Sequence, residues 1–338
     1  MIEIDGAVGE GGGQIIRTAL ALSLVTGKPF RVENVRARRA KPGLRRQHLT
    51  AVEAAAKVGK AHVEGAALGS MTLLFEPGQA IPGRYRFAIG TAGSTTLVLQ
   101  TVLPALLCAP GRSFLALEGG THNPLAPPFD SLQKAFLPLI ESMGPRVVAT
   151  LERPGFVPAG GGRFTVEIEP VSKLQPLALL ERGEVRRRRA VALVSGLPAS
   201  IGERELRVVE TELGWAKDEL QLEEIENPRG PGNVLSLEIE SEHVTEVFTG
   251  FGERGVPAER VAARAVAQAR RYLKAGVPVG EHLADQLVIP IALAGGGRFR
   301  TLRPSSHLTT QIETVRRFID LPIAVQQKAD DVFEVAAG

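Results

Sequence analysis

The feature that most constrains this chain is a recurrence. One order of elements runs twice from the N-terminus and then a third time, interrupted, toward the C-terminus. The first copy reads as a strand near Ile2 to Ile4, a Gly-rich turn, the apolar helix QIIRTALALSLVTG, the strand FRVENV, the helix LRRQHLTAVEAAAKV, and strands near AHVEG and MTLLFE. The second has strand RYRFAIG, helix STTLVLQTVLPALLC, strand SFLALEGG, helix PFDSLQKAFLPLIESMG, and strands RVVATLER and RFTVEIEP. The third has helix HLADQLVIPIALAGG, strand RFRTLRP, helix HLTTQIETVRRFI, and strands PIAVQQKA and DVFEVA. Each unit is therefore two helices beside a sheet of roughly four strands.

The first helix of each unit is nearly apolar all round, which predicts burial between a sheet and a neighbouring helix. Its partner carries charge on one face and should lie outside. Between the second and third copies, strand AVALVSG, helix RELRVVETELG, strands ELQLEEI and NVLSLEIE and the long helix PAERVAARAVAQARRYLKAG read as a small inserted α/β domain. The loop ENPRGPGN is a turn inside it. The expected fold is α/β (α+β): three repeats of two helices on a four-stranded sheet, in a body of residues 1–182 plus 276–338, with residues 183–275 inserted. Within the body the repeats span about 1–80, 81–175 and 276–338.

With 338 residues, 44% of them hydrophobic, the chain can bury a sizeable core. No apolar run approaches the roughly 18 residues of a membrane span. The start MIEIDGAVGEGGG lacks the basic and apolar blocks of a signal peptide, so a cytoplasmic location is expected. The single cysteine, Cys108, lies in the apolar run LVLQTVLPALLC, which excludes an intrachain disulfide and predicts a buried thiol. Net charge is only +3, but basic residues cluster in RVENVRARRAKPGLRRQH (31–48) and VRRRRA (185–190). The second cluster reads as a solvated face. The first, rich in Gly and Pro, stands evenly between a solvated face and a polyanion-facing loop.

Three Gly-rich turns open or approach helices: GEGGGQ (9–14), IGTAGSTT (89–96) and GGTHNPLAPP (119–128). Such turns let backbone N–H groups converge on an anion, although each alone is more often a tight strand-to-helix turn. The first lacks the Lys-Ser/Thr of a P-loop and is no dinucleotide fingerprint. It does set a carboxylate, Glu10, among the glycines, with Arg17 about two helical turns on. A carboxylate beside a phosphate site makes sense if a divalent metal bridges the two.

In PSSHLTTQ, Ser305 or Ser306 can cap a helix and so place His307 in its first turn. There the helix dipole disfavours the imidazolium, leaving the neutral ring that a nucleophile needs, and would favour a phosphate at that nitrogen. A first-turn histidine is otherwise a surface or structural residue. The histidines form no HxH, HExxH or Cys/His metal cluster, and no GxSxG elbow supports a serine hydrolase. The segment GEHLADQLVIPIALAGGGRF (280–299) begins a buried helix with His282, Asp285 and Gln286. Gln286 and Gln100 both sit in apolar helices, where an amide lacking partners costs about 1–3 kcal/mol.

Six stretches together, IDGAVGEGGGQIIRTALALSLVTGKPF, RARRAKPGLRRQHLTA, GTAGSTTLVLQTVLPAL, GGTHNPLAPP, EHLADQLVIPIALAGGG and PSSHLTTQ, resemble the RNA 3′-terminal phosphate cyclase family over almost the whole chain, in order. The resemblance implies three repeats with a small thioredoxin-like domain inserted before the third. It implies an ATP-dependent conversion of an RNA 3′-phosphate to a 2′,3′-cyclic phosphodiester through enzyme-histidine-AMP and RNA(3′)pp(5′)A, with release of pyrophosphate and AMP. His307 falls on the nucleotidylated histidine. ATP contacts fall on Gln100 and on His282, Leu283, Ala284, Asp285 and Gln286, with Pro127 and His282 pinching the adenine. Many relatives have tyrosine where this chain has His282, which stacks with less face. Glu10 falls on the carboxylate for Mg²⁺ or Mn²⁺, and Arg17, Arg36, Arg39 and Gln47 are placed to hold triphosphate or the RNA 3′-phosphate. The low aromatic content, 5%, suits capture of an RNA end through phosphate and 2′-hydroxyl better than base stacking.

Two other readings differ in class. A non-catalytic RNA-binding scaffold of the same fold lacks the nucleotidylated histidine, whereas this chain has His307, Glu10, Arg17 and Gln286. An enolpyruvyl transferase of similar repeat architecture would need a phosphoenolpyruvate site, and none of its motifs is here. Oligomeric state, the RNA processed in the cell and the role of the insert are not legible.

Overall fold

The computed structural model describes residues 1–226 and 228–338. The first repeat runs β1 (Ile2–Asp5), α1 (Gly13–Thr26), β2 (Phe30–Glu33), α2 (Arg46–Gly59), β3 (His62–Glu64) and β4 (Leu73–Glu76). β1 and β2 pair in parallel, which requires a crossover of about a dozen residues or more, and α1 supplies it. β3 and β4 then return antiparallel, giving the order β1-β2-β4-β3.

The second repeat repeats this plan with β5 (Arg84–Ala88), α3 (Thr95–Leu106) and β6 (Ser113–Gly119). Its outer helix is irregular: α4 (Phe129–Ser131), a π turn (Leu132–Phe136) and α5 (Leu137–Ser142) run on from one another. β7 (Arg146–Arg153) and β8 (Gly162–Glu169) close the sheet in the order β5-β6-β8-β7.

The third repeat begins earlier than its sequence pattern shows. A short strand, β9 (Leu177–Leu179), pairs in parallel with β14 (Gly297–Thr301). Three residues are too few to display a period of two, so the sequence reading assigned no strand here. Between them lies the inserted unit: β10 (Val185–Ser195), α6 (Ser200–Leu213), β11 (Leu220–Glu224), β12 (Gly232–Ser241), β13 (Thr245–Phe251) and α7 (Ala258–Ala275). The insertion thus enlarges the crossover of the third repeat, where extra length is tolerated because loop closure grows only slowly in cost. α8 (Glu281–Leu293) completes that crossover, and α9 (Ser306–Phe318), β15 (Ile323–Ala329) and β16 (Val332–Ala337) finish the sheet, ordered β15-β16-β14-β9.

The insert's own sheet is ordered β11-β10-β12-β13, with a parallel β10/β11 pair. β13 is a second strand absent from the sequence reading. The basic run VRRRRA is the start of β10, and three of its guanidiniums have acidic partners, Arg186 with Glu242, Arg188 with Glu219 and Arg189 with Glu223. It is a solvated face, as the sequence suggested. The turn expected at ENPRGPGN includes Asn227, which lies outside the described residues.

Two apolar cores result. The larger joins all three repeats, and α1 lies at its centre, packed against α2, α3 and α9. The apolar character of α1, α3 and α8 on every side is satisfied because each meets a sheet beneath and helices beside it. The smaller core belongs to the insert and takes in Leu302 of the body. Cys108 departs from expectation. It is exposed, because α3 ends at Leu106 and the apolar run continues into a turn, where the register that buried its helical neighbours no longer holds. Among the described residues no helix is long and apolar enough to cross a membrane.

Leu20 of α1 is 0% exposed. Leu20→Ala should lower stability by about 2–5 kcal/mol, read from the urea midpoint at constant slope.

Candidate active site

The repeats and the insert together line a cavity of about 460 Å³. Its floor comes from α1 and α9, one wall from α8, another from α3 with the segment Pro124–Pro128, and the last from β13 and α7 of the insert.

The N-terminus of α9 is capped by Ser305, whose Oγ accepts from the Leu308 N–H at 3.2 Å. His307 therefore stands in the first turn, exposed to the cavity. Its neighbour across the helix interface is Gln14, the second residue of α1. The amide nitrogen of Gln14 donates toward Asp285 Oδ2 at 3.3 Å, the His307 carbonyl at 3.2 Å and Gln311 Oε1 at 3.1 Å. All three are acceptors, so the nitrogen must lie on that side and the amide oxygen on the other. That oxygen lies 2.9 Å from His307 Nδ1. An amide oxygen only accepts, so Nδ1 carries the proton and Nε2 keeps its lone pair.

Burial holds the His307 imidazole below its ordinary value, with His282, Arg17 and Arg39 adding in the same direction. Desolvation leads these causes, and all but the opposing Glu281 favour the neutral ring. Arg17, on α1, is desolvated enough for its guanidinium to fall to about 10 and is still charged at neutral pH. Asp285 is pushed up to about 7 by burial, opposed by Arg17. Behind Arg17, the buried His48 ring is depressed to about 3 by desolvation and by Arg17, Arg36 and Arg45. A side chain at Gly13 would sit 2.2 Å from His48 Nε2 and 2.8 Å from the Arg17 guanidinium, so only glycine admits this packing.

Glu10 is held by its backbone N–H, which donates to Thr310 Oγ1 at 2.9 Å, and by an ion pair between its Oε1 and Arg39. Its Oε2 is buried and has no hydrogen-bond partner. Gly9, at φ +61°, turns the loop that presents it. Gln100 and Gln286 satisfy each other, with the Gln100 amide nitrogen donating to Gln286 Oε1 at 2.6 Å and Gln286 to the His282 carbonyl at 2.7 Å.

Of the residues singled out from sequence, Glu10, Arg17, Arg39, Gln100, Pro127, His282, Leu283, Asp285, Gln286 and His307 line this cavity. Three do not. Ala284 is buried in the core on the opposite side of α8. Arg36 donates to the Lys41 and Gly43 carbonyls at 2.7 and 3.0 Å and so braces its own loop. Gln47 accepts from the Ser94 N–H at 2.7 Å, tying α2 to the start of α3.

Sequence reasoning missed Gln14, Thr18 and Gln311, a connected polar set in which the Thr18 hydroxyl donates to Gln311 Oε1 at 2.6 Å. The argument applied to Gln100 and Gln286, polar groups inside apolar helices, applies equally to these. Missed too were Glu246, Val247, Thr249 and Phe251, because β13 was not seen as a strand.

His307 should titrate by NMR with a midpoint below the ordinary 6.5, its ring nitrogens reporting the Nδ1–H tautomer above it. In Gln14→Leu that tautomer preference should be lost, with a mixed nitrogen-shift pattern.

The sequence profile of the RNA 3′-terminal phosphate cyclase family matches residues 8–325. The chain is 54% identical to the RNA 3′-terminal phosphate cyclase of Koribacter versatilis over 97% of this chain and 92% of that protein. It is 53% identical to the protein of that name from Pseudomonas fluorescens, and 51% to that from Ectopseudomonas mendocina, each match covering 99% of this chain and 97% of the relative. By profile and by these relatives, the chain belongs to the RNA 3′-terminal phosphate cyclase family.

Proposed function

We propose that this protein uses ATP to convert an RNA 3′-terminal phosphate into a 2′,3′-cyclic phosphodiester, with His307 as covalent nucleophile. The observation that carries the reading is the Gln14 amide oxygen on His307 Nδ1, which leaves Nε2 as the unprotonated atom at the cavity.

Nε2 attacks the α-phosphorus of ATP, the N–P bond forms and the bond to pyrophosphate breaks. No proton has to leave the ring, because the positive charge it acquires is stabilised at Nδ1–H by Gln14. An oxygen of the RNA 3′-phosphate then takes the AMP, breaking the N–P bond and giving RNA(3′)pp(5′)A. The neighbouring 2′-hydroxyl attacks the RNA phosphorus and AMP departs, leaving the cyclic phosphate. Arg17 and Arg39 are cations beside this chemistry and suit charge on phosphoryl oxygens. Pro127 and His282 share the cavity with the Gln100–Gln286 pair, in keeping with an adenine held between them. Arg36 and Gln47, outside the cavity, would serve the RNA phosphate indirectly: Arg36 shapes the loop of Arg39 and Gln47 the start of α3.

A divalent metal, Mg²⁺ or Mn²⁺, fits the residues present. The orphaned Oε2 of Glu10 is a single carboxylate oxygen, and Mg²⁺ is commonly held by one or two carboxylates plus substrate phosphates. Glu10 would hold it, and when bound it would withdraw charge from the phosphoryl oxygens. The same reading treats residues 1–182 with 276–338 as the catalytic body and 183–275 as an inserted unit, in a cytoplasmic protein.

Incubation with α-labelled ATP should give a covalent adduct that survives base, is lost in acid and is absent from His307→Ala, which should also lose cyclisation. Cyclisation by His307→Ala would refute the nucleophile, and a wild type without adduct would favour an RNA-binding scaffold. Glu10→Ala should slow adduct formation by about 10–100-fold and move the metal titration to higher concentration. A wild-type rate at every Mg²⁺ or Mn²⁺ concentration would remove Glu10 from the site.

A further inference from the structure

The helix that lines the proposed nucleotide site, α8, lacks a cap of its own. Its N-cap residue is Gly280, which has no side chain to accept the exposed N–H groups of the first turn. An acceptor for the N–H of the N-cap residue itself comes from another part of the chain. Glu246, on β13 of the insert, is 4% exposed, and its Oε1 accepts from the Gly280 N–H. Its Oε2 accepts from the Val247 N–H at 3.3 Å. A side chain on Gly280 would approach Glu246 Oε1 to 2.8 Å, so glycine lets the carboxylate come this close to the helix end.

The contact sits at a seam. Glu246 borders the main cavity and also a smaller one, about 40 Å³, whose walls include Gly280, Glu281 and His282. Four residues of the first two turns of α8, His282, Leu283, Asp285 and Gln286, line the main cavity, and His282, Asp285 and Gln286 bring polar groups to it. Alternate residues of the strand carrying Glu246, namely Val247, Thr249 and Phe251, line the same cavity from the insert's side. A buried carboxylate is an expensive way to satisfy one N–H, and an apolar seam would pack these units as well. Its use is directional: it fixes the height and rotation of one helix end.

We propose that Glu246 is a positioning residue for nucleotide binding, its carboxylate capping α8 from the inserted unit and thereby setting His282, Asp285 and Gln286, so that the insert is a working part of the ATP site. The proposal rests on reading the cavity as the ATP site. Glu246 acts through Gly280 and need not touch ATP.

Two variants remove the contact by different means. Glu246→Leu fills the space without an acceptor, and Glu246→Asp keeps the charge but is one methylene too short to reach. Glu246→Gln keeps a carbonyl oxygen for Gly280. For Leu and Asp, the KM for ATP in cyclisation should rise about tenfold, the scale of one lost hydrogen bond to a charged group, with the rate at saturating ATP within about threefold of wild type. Gln should stay within about threefold in both constants. ATP binding by calorimetry should follow KM, and thermal unfolding checks that each variant is folded. A merely structural contact would lower the melting temperature without separating KM from the maximal rate, and that result would overturn the proposal. So would wild-type KM in Leu or Asp, or a Gln variant as impaired as Leu. A wild type that binds no ATP would instead refute the nucleotide reading, so the two failures are distinguishable. Should Leu not fold, the comparison of Asp with Gln decides alone.

Discussion

The side-chain amide of Gln14 is the point on which the site depends. It is 8% exposed, and an amide so placed must find partners or cost about 1–3 kcal/mol for each unmet group. It finds them on α8 and α9, some 270 and more residues away along the chain. Satisfying one polar group therefore fixes the relative rotation of three helices from the first and third repeats. The same constraint sets the tautomer of His307. Packing of apolar faces alone would hold the helices together but tolerate small rotations, because ridge-and-groove contacts have several near-equivalent settings. The hydrogen-bonded set Gln14, Thr18, Gln311 and Asp285 removes that freedom where it matters most.

The insert is joined to the body through charged contacts more than through a shared core. Lys134, in the π turn, pairs with Glu238 of β12, and Arg271 of α7 makes two bonds of 2.9 Å to Asp331 between β15 and β16. Arg182 donates to the carbonyls of Tyr272 and Leu273 at the C-terminal end of α7, where the helix dipole favours a cation. The body adds Val277 and Leu302 to the insert's core, with Val332 packed beside them. Such a seam lets the insert meet the body in one orientation, since each ion pair must be matched, while a few apolar side chains, Val244 among them, cross between the two cores.

Much of this was legible in the sequence, and what was not has identifiable physical causes. The apolar helices α1, α3 and α8 announced themselves because a helix apolar on every side has few alternatives to full burial. Long strands with clear alternation were equally visible. β9 was lost because it is three residues long, and β13 because TEVFTGF mixes a buried glutamate and glycine into its pattern. Losing β13 hid the part of the insert-side wall that it carries, Glu246 included. Ala284 entered the candidate set as part of a continuous run, yet on a helix adjacent residues face different ways, and it turned into the core. Cys108 was misplaced by extending helical burial past the end of the helix.

The charge balance of the cavity explains how it can be lined by three carboxylates and still suit a polyanion. Burial pushes both Asp285 and Glu246 up to about 7, so each carries reduced negative charge at neutral pH. By linkage, these two carboxyls favour the folded state while protonated in it; their contribution is full below pH 4 and fades as pH rises through 7. Arg17, by contrast, stays charged although desolvation lowers it to about 10. Burial thus weakens both acids while Arg17 keeps its charge, so the carboxylates do not outweigh the cations of the cavity. Glu10 stands apart from this pattern. One of its oxygens is neutralised by Arg39, and the other is a buried acceptor with nothing to accept from. Under the proposed function, that oxygen is where a cation accompanying the phosphates would be held.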